Sequence, residues 1–167
     1  LSLHSGQIVQ FVFWLTAPGL AMYFFAFKTF SEKKYLPLIA SVIYMINFYL
    51  IQGWFIAERT KFSIYTALPL VLYFLIAYLT GRMGFLKSVL LTGVTLGIFN
   101  GGGSLPLYGG LIFAILVSFV YINFIHGSIN TLKKTVFYSI GAGIIYLLIN
   151  AYWIIPILKE PLSFNTY

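Results

Sequence analysis

The chain has 167 residues, of which 60% are apolar and only 8% are charged, whereas an ordinary soluble domain carries about 25% charged residues. This composition excludes a disordered chain, and it excludes an ordinary soluble domain because ten Lys and Arg and three Glu cannot cover its surface. The net charge of +7 fits the basic cytoplasmic loops of a membrane protein, so no nucleic-acid partner is expected.

The charged residues divide the chain into six apolar runs, and each run is a candidate membrane-spanning helix. A helix needs about 20 apolar residues to cross about 30 Å of hydrocarbon. In chain order the runs are Ile8–Phe27, Leu36–Ala57, Phe62–Thr80, Ser88–Gly103, Leu105–Ile125 and Thr135–Leu158. The pattern predicts an all-α fold, a polytopic membrane helix bundle with about six transmembrane helices. Pro18 and Pro69 lie inside the first and third runs and should kink their helices.

The fourth run is the shortest, and two interpretations of it stay open. Either the helix starts near Phe85, with Lys87 reaching the interface, or the segment is re-entrant. A glycine triplet follows Asn100, so the helix should be short or broken there. Gly93 and Gly97 are four positions apart, a spacing that predicts close contact with another helix.

The basic residues favour six crossings over five. With six crossings, seven basic residues share one side: Lys28, Lys33, Lys34, Arg82, Lys87, Lys133 and Lys134. The other side then carries Arg59, Lys61 and Lys159. If the fourth run does not cross, the division is six against four. The positive-inside rule therefore predicts that both termini lie on the outer side. The expected location is the plasma membrane of a prokaryote, as an integral protein among membrane lipids.

A single transmembrane domain is expected over residues 1–160, followed by a polar tail over residues 161–167. The chain starts with Leu1 rather than Met and continues past its last apolar run. The sequence is therefore expected to be a piece of a longer protein, with the tail as the start of a missing outer region and with additional helices or subunits beside it.

A charged segment, Glu58-Arg59-Thr60-Lys61, is expected as an outer turn between the second and third runs. One interpretation is a charged hairpin cap, in which the side chains simply reach water. The other is a binding site, in which Arg59 and Lys61 receive a phosphate and Glu58 orients a substrate. Asn100 lies in the glycine-rich outer loop on the same side. No metal site is expected, because the chain has no Asp, no Cys and only two isolated His.

Several segments, taken in order, resemble the membrane core of GT-C type glycosyltransferases, especially the arabinofuranosyltransferase-like group. They are Ser41-Val-Ile-Tyr-Met-Ile-Asn-Phe-Tyr49, the charged turn, Tyr65-Thr-Ala-Leu-Pro-Leu70, Gly97-Ile-Phe-Asn-Gly-Gly102 and Asn150-Ala-Tyr-Trp-Ile-Ile-Pro-Ile-Leu158. The resemblance covers roughly residues 15–160. It implies a many-helix bundle that transfers a sugar from a polyprenyl-phosphate carrier to an acceptor on the outer face.

One departure from this family concerns the catalytic acid. The resemblance places that acid, an Asp or Glu, in the first outer loop, but this chain has no carboxylate before Glu32. The acid is therefore expected upstream in a missing part, unless the chain is catalytically incomplete. No cofactor is expected within this chain, and a divalent metal would belong to the parent enzyme. The alternative function is a non-catalytic membrane subunit or a lipid-binding scaffold. A channel or transporter is less favoured, because no ionisable group lies inside a run.

Overall fold

The computed structural model describes residues 3–30, 32–47, 51, 59–99 and 129–159, and the regular structure among them is helical. Six helices follow one another along the chain: α1 (Leu3–Thr29), α2 (Leu36–Met45), α3 (Arg59–Leu79), α4 (Phe85–Ile98), α5 (Ile129–Ile149) and α6 (Ala151–Lys159). The prediction of an all-helical fold is therefore confirmed for the described part of the chain.

Within the described ranges, three helices are long and apolar enough to cross a membrane: α1 over Gly6–Thr29, α3 over Phe62–Leu79 and α5 over Asn130–Ile149. The helices α2 and α4 are apolar but shorter. With 14 residues, α4 is only about 21 Å long at 1.5 Å per residue. It ends at Ile98, as the sequence predicts from the glycines beyond it. The fifth predicted run, Leu105–Ile125, lies outside the described residues.

Helices α1 and α3 run parallel to each other. In the second half of both helices, the Phe24 ring meets the Tyr73 ring edge to face, with 5.1 Å between ring centroids. Further along both helices, Arg82 of the turn after α3 donates a hydrogen bond to the carbonyl of Lys28 near the end of α1. That turn is tight because Gly81 adopts a φ of +74°, which only glycine takes readily.

Helices α4 and α5 also run parallel, and small residues let them approach closely. Three pairs of neighbours define the interface: Val89 with Gly141, Gly93 with Ile145, and Gly97 with Ile149. Residue numbers increase together along the two helices, so their directions agree. The predicted helix contact through Gly93 and Gly97 is therefore confirmed. Parallel helices also place the end of α4 and the start of α5 at opposite ends of the bundle.

The bundle therefore has two chemically different ends. Seven basic residues lie at one of them, here called the basic end: Lys28, Lys33, Lys34, Arg82, Lys87, Lys133 and Lys134. The ring of Tyr138, in the middle of α5, stacks on Tyr78 near the end of α3, with centroids 5.6 Å apart. The first half of α5, which carries Lys133 and Lys134, therefore lies toward the basic end. The opposite end, here called the far end, holds the start of α3 and the ends of α4 and α5. The seven residues are those that the charge pattern assigns to one side.

Several helix boundaries differ from the apolar runs; α5, for example, begins at Ile129 rather than at Thr135. Helix α3 begins at Arg59 rather than at Phe62, so Arg59–Lys61 form its first turn and not a loop. Arg and Lys are good helix formers, and their long side chains can reach water from a helix end. The sixth run is interrupted at Asn150, where the buried side-chain amide donates to the Tyr146 carbonyl at 2.9 Å. That side chain competes with the backbone for the same carbonyl.

The second run is described as a helix only as far as Met45, with Pro37 in its first turn, where proline needs no backbone donor. Apart from residue 51, the chain from 48 to 58 lies outside the described residues. The polar tail at 161–167 also lies outside them, so the domain division stays a prediction.

Candidate functional site

The four residues singled out from the sequence belong to the far end or to undescribed segments. Arg59 and Lys61 lie in the first turn of α3, and their side chains are outside the described part. Glu58 and Asn100 lie outside the described residues altogether. From Arg59 to Leu79, α3 extends about 30 Å at 1.5 Å per residue. Arg59 and Lys61 are therefore separated from the basic end by roughly the thickness of a hydrocarbon core.

The far end is bordered by an aromatic contact between α1 and the residue that follows α4. The rings of Trp14 and Phe99 meet edge to face, with centroids 6.1 Å apart. Phe99 closes α4 by donating its backbone N–H to the carbonyl of Thr95 at 2.9 Å. This contact positions the chain just before the predicted site residue Asn100.

Between the two ends, α2 supports a proline in α3. Pro69 is fully buried and has no backbone N–H, so the carbonyl of Tyr65 lacks its helical donor. The hydroxyl of Tyr44 on α2 donates to that carbonyl at 2.9 Å. Ser41 on the same helix donates to the carbonyl of Gly19 in α1 at 2.8 Å. Helix α2 thus supplies hydroxyl donors to two neighbouring helices, which is how membrane helices satisfy such carbonyls.

A row of hydroxyl side chains faces inward along α4. Ser88, Thr92 and Thr95 are all buried, and they recur at the three- and four-residue spacing of one helix face. Thr92 and the buried Tyr138 of α5 share a hydrogen bond. The sequence analysis missed this row, although its spacing was visible beside the glycines of the same helix. The row joins α4 to α5 and leaves no hydroxyl exposed for chemistry.

At the basic end, the turn after α3 is attached to the end of α1. Arg82 Nη1 donates to the carbonyl oxygen of Lys28 at 3.1 Å. Beside this contact is an open cleft of about 210 Å³, lined by Thr29, Phe30, Glu32, Lys33 and Arg82. Lys33 and Arg82 were predicted only as basic loop residues, and the cleft was not predicted, because nothing in the sequence pairs position 28 with position 82.

The described residues hold no group of three or more His, Asp, Glu or Cys that could bind a metal ion. What both ends offer instead is cationic: Arg59 and Lys61 at the far end, and a cluster of Lys and Arg at the basic end. Such side chains bind phosphate and carboxylate oxygens. Comparison of the chain with protein-family models, with curated proteins and with solved structures finds no match in any of the three.

Proposed function

We propose that this chain is the membrane-embedded part of a GT-C type glycosyltransferase, which moves a sugar from a polyprenyl-phosphate carrier to an acceptor. The far end faces the outside of a prokaryotic plasma membrane and the basic end faces the cytoplasm, in keeping with the positive-inside rule. The full arrangement has six crossings with both termini outside. The proposal rests first on the order of the segments that resemble this family.

The observation that carries the site is the separation of Arg59 and Lys61 from the seven cations of the basic end. Both lie in the first turn of α3, at the end of the bundle that lacks the basic cluster. A cation that starts an apolar helix lies at the depth of a lipid head group, and the isoprenoid chain of a carrier would remain in hydrocarbon. Arg provides paired donors for phosphate oxygens and Lys adds a point charge. Glu58 would orient Arg59 or a sugar hydroxyl, and Asn100 would border the same site.

A non-catalytic, lipid-binding subunit is the second candidate, and one observation favours it. The family resemblance implies a catalytic acid in the first outer loop. The chain contains three Glu and no Asp, and the first of these Glu is residue 32, beyond that loop. In this alternative the same two cations hold a lipid phosphate without any transfer of sugar. Phosphate binding at the far end is common to both candidates and can be tested without an activity assay.

Replacing Arg59 or Lys61 by alanine should weaken the binding of undecaprenyl phosphate about tenfold or more. The reason is that a hydrogen bond to a charged group contributes about 1.5–3 kcal/mol, and each 1.4 kcal/mol corresponds to a factor of ten. Binding would be measured on the protein in nanodiscs of zwitterionic lipid. Lys134→Ala is the matched control, because it removes the same charge at the basic end.

The alcohol undecaprenol, which lacks the phosphate, is the second control. Its binding should not depend on Arg59 or Lys61. If both alanine variants bind the phosphate as tightly as the parent, the far-end site is wrong and Arg59–Lys61 only start a helix. If Lys134→Ala weakens binding as much as Arg59→Ala, the attraction is a property of net charge. In that case the far end holds no specific site.

A further inference from the structure

We propose that the cleft at the basic end binds a phosphate group, as carried by the head group of an anionic phospholipid. The site is distinct from the far end, because α3 separates the two by its whole length. Three chain segments form the cleft: the end of α1, the connection from α1 to α2, and the turn from α3 to α4. Its volume of about 210 Å³ corresponds to roughly seven water molecules at about 30 Å³ each, enough for a phosphate.

Arg82 provides the principal donors of this cleft. Its Nη1 atom is held by the carbonyl oxygen of Lys28, which fixes the guanidinium beside the end of α1. A guanidinium carries five N–H donors in a planar fork, and this contact occupies only one nitrogen. Within the described ranges Arg82 forms no ion pair with Glu32, although both line the cleft. The remaining donors therefore suit the oxygens of an incoming anion.

Thr29 adds a hydroxyl that needs a partner. Its Oγ1 atom is buried and has no hydrogen-bond partner among the residues that the structure describes. A buried hydroxyl without a partner is unfavourable, and most such groups in folded proteins are satisfied. Thr29 lines the same cleft as Arg82 and Lys33. The hydroxyl has almost no accessible surface in this conformation, so the Thr29 side chain would have to turn toward the cleft before a phosphate oxygen could accept its hydrogen bond.

The local charge favours an anion over a cation. Lys33 and Arg82 line the cleft against a single carboxylate, that of Glu32. Lys28 lies beside it, and its Nζ atom is 5.7 Å from the centroid of the Phe27 ring. This cation remains near the end of α1, where the last carbonyls of a helix carry partial negative charge. The surroundings of the cleft therefore have a net positive charge.

The position of the cleft favours a lipid as the source of the phosphate. Helix α1 is apolar up to its last turn, so Thr29 marks the depth at which hydrocarbon ends. Phe30 lines the cleft and is 48% exposed, and Phe27, which is 49% exposed, belongs to the last turn of α1. Acyl chains can pack against these rings while the head group reaches Arg82. Basic pockets at the cytoplasmic ends of membrane helices bind lipid phosphates in this way.

The test is a titration of the intact protein with phosphatidylglycerol in zwitterionic micelles, followed by native mass spectrometry. A parallel titration uses inorganic phosphate alone. The double variant Arg82→Gln/Lys33→Gln should bind phosphatidylglycerol about tenfold more weakly. The control is Lys87→Gln/Lys133→Gln, which removes two exposed cations of the same end outside the cleft and should change binding less than about threefold.

Arg82 also attaches the turn after α3 to α1, so its replacement could weaken binding simply by disturbing the fold. A variant that is expected to bind more tightly is free of this ambiguity. Glu32→Gln removes the one carboxylate of the cleft and should tighten binding about threefold. Saturable binding of inorganic phosphate with the same dependence on Arg82 would assign the site to free phosphate, and binding of the lipid alone assigns it to a head group. The proposal is overturned if neither ligand binds, if both double variants weaken binding equally, or if Glu32→Gln has no effect.

Discussion

Replacing Gly93 by alanine should lower the free energy of unfolding of the bundle by about 1–3 kcal/mol, the usual cost of overpacking a filled interior. A Cβ atom added at Gly93 would lie 2.5 Å from the Cβ of Ile145 on α5, and 3.4 Å from the carbonyl oxygen of Ala142. Neither neighbour is the free end of a flexible side chain, and a β-branched residue in a helix has one strongly preferred rotamer. The helices α4 and α5 must therefore move apart.

Gly143→Ala is the matched control, because a Cβ atom added there meets no atom within 4 Å. This variant should be neutral or slightly stabilising, since alanine is the better helix former. The unfolding midpoint in mixed micelles of detergent and SDS compares the two variants under one condition. Gly97→Leu should be at least as damaging as Gly93→Ala, because even the first added carbon would lie 2.6 Å from Ile149 Cγ2. Equal midpoints for Gly93→Ala and Gly143→Ala would contradict the close contact of α4 with α5.

Replacing Tyr44 by phenylalanine should cost about 1–3 kcal/mol of unfolding free energy, the range for a buried polar group that loses its partner. The carbonyl of Tyr65 lacks its helical donor because Pro69 has no N–H, and Tyr44 donates to it at 2.9 Å. In an apolar span no water replaces that donor. Phenylalanine keeps the ring, so the variant removes only the hydroxyl.

The same substitution in a Pro69→Ala background separates this cause from general effects of losing a hydroxyl. Alanine at position 69 restores a backbone N–H for the Tyr65 carbonyl, so Tyr44→Phe should cost clearly less there. Tyr73→Phe is the control, because the Tyr73 hydroxyl has no hydrogen-bond partner among the residues that the structure describes. If Tyr44→Phe lowers the free energy of unfolding equally with and without Pro69, the Tyr44 hydroxyl does not compensate for the N–H that the proline lacks.

The helices themselves could be predicted from the sequence because membrane helices are long apolar runs between charges. The end of α1 follows from Lys28, although its start at Leu3 precedes the apolar run, and the end of α4 follows from the glycines after Phe99. Close packing of α4 on another helix was also predictable, since Gly93 and Gly97 share one face, but the sequence did not identify α5 as that helix. The start of α3 was not, because hydropathy alone cannot tell whether Arg59–Lys61 continue a helix or form a turn.

The polar contacts between helices could not be predicted, since each joins residues far apart in the chain. Arg82 meets the carbonyl of Lys28, and Tyr44 meets the carbonyl of Tyr65. Backbone carbonyls carry no signature in the sequence, so only the three-dimensional arrangement identifies them as acceptors. Of the predicted site residues, Arg59 and Lys61 are described by their backbone. Glu58 and Asn100 remain predictions.

The opposite placement of the two ends is best tested with single cysteines, which is straightforward because the chain has no Cys. Thr60→Cys marks the first turn of α3 at the far end, and Gly84→Cys marks the exposed turn between α3 and α4 at the basic end. A membrane-impermeant thiol reagent is applied to intact cells and then to permeabilised cells. The account predicts that Thr60→Cys is labelled in intact cells and Gly84→Cys only after permeabilisation. Labelling of both cysteines from the same side, or labelling in the reverse order, would contradict it.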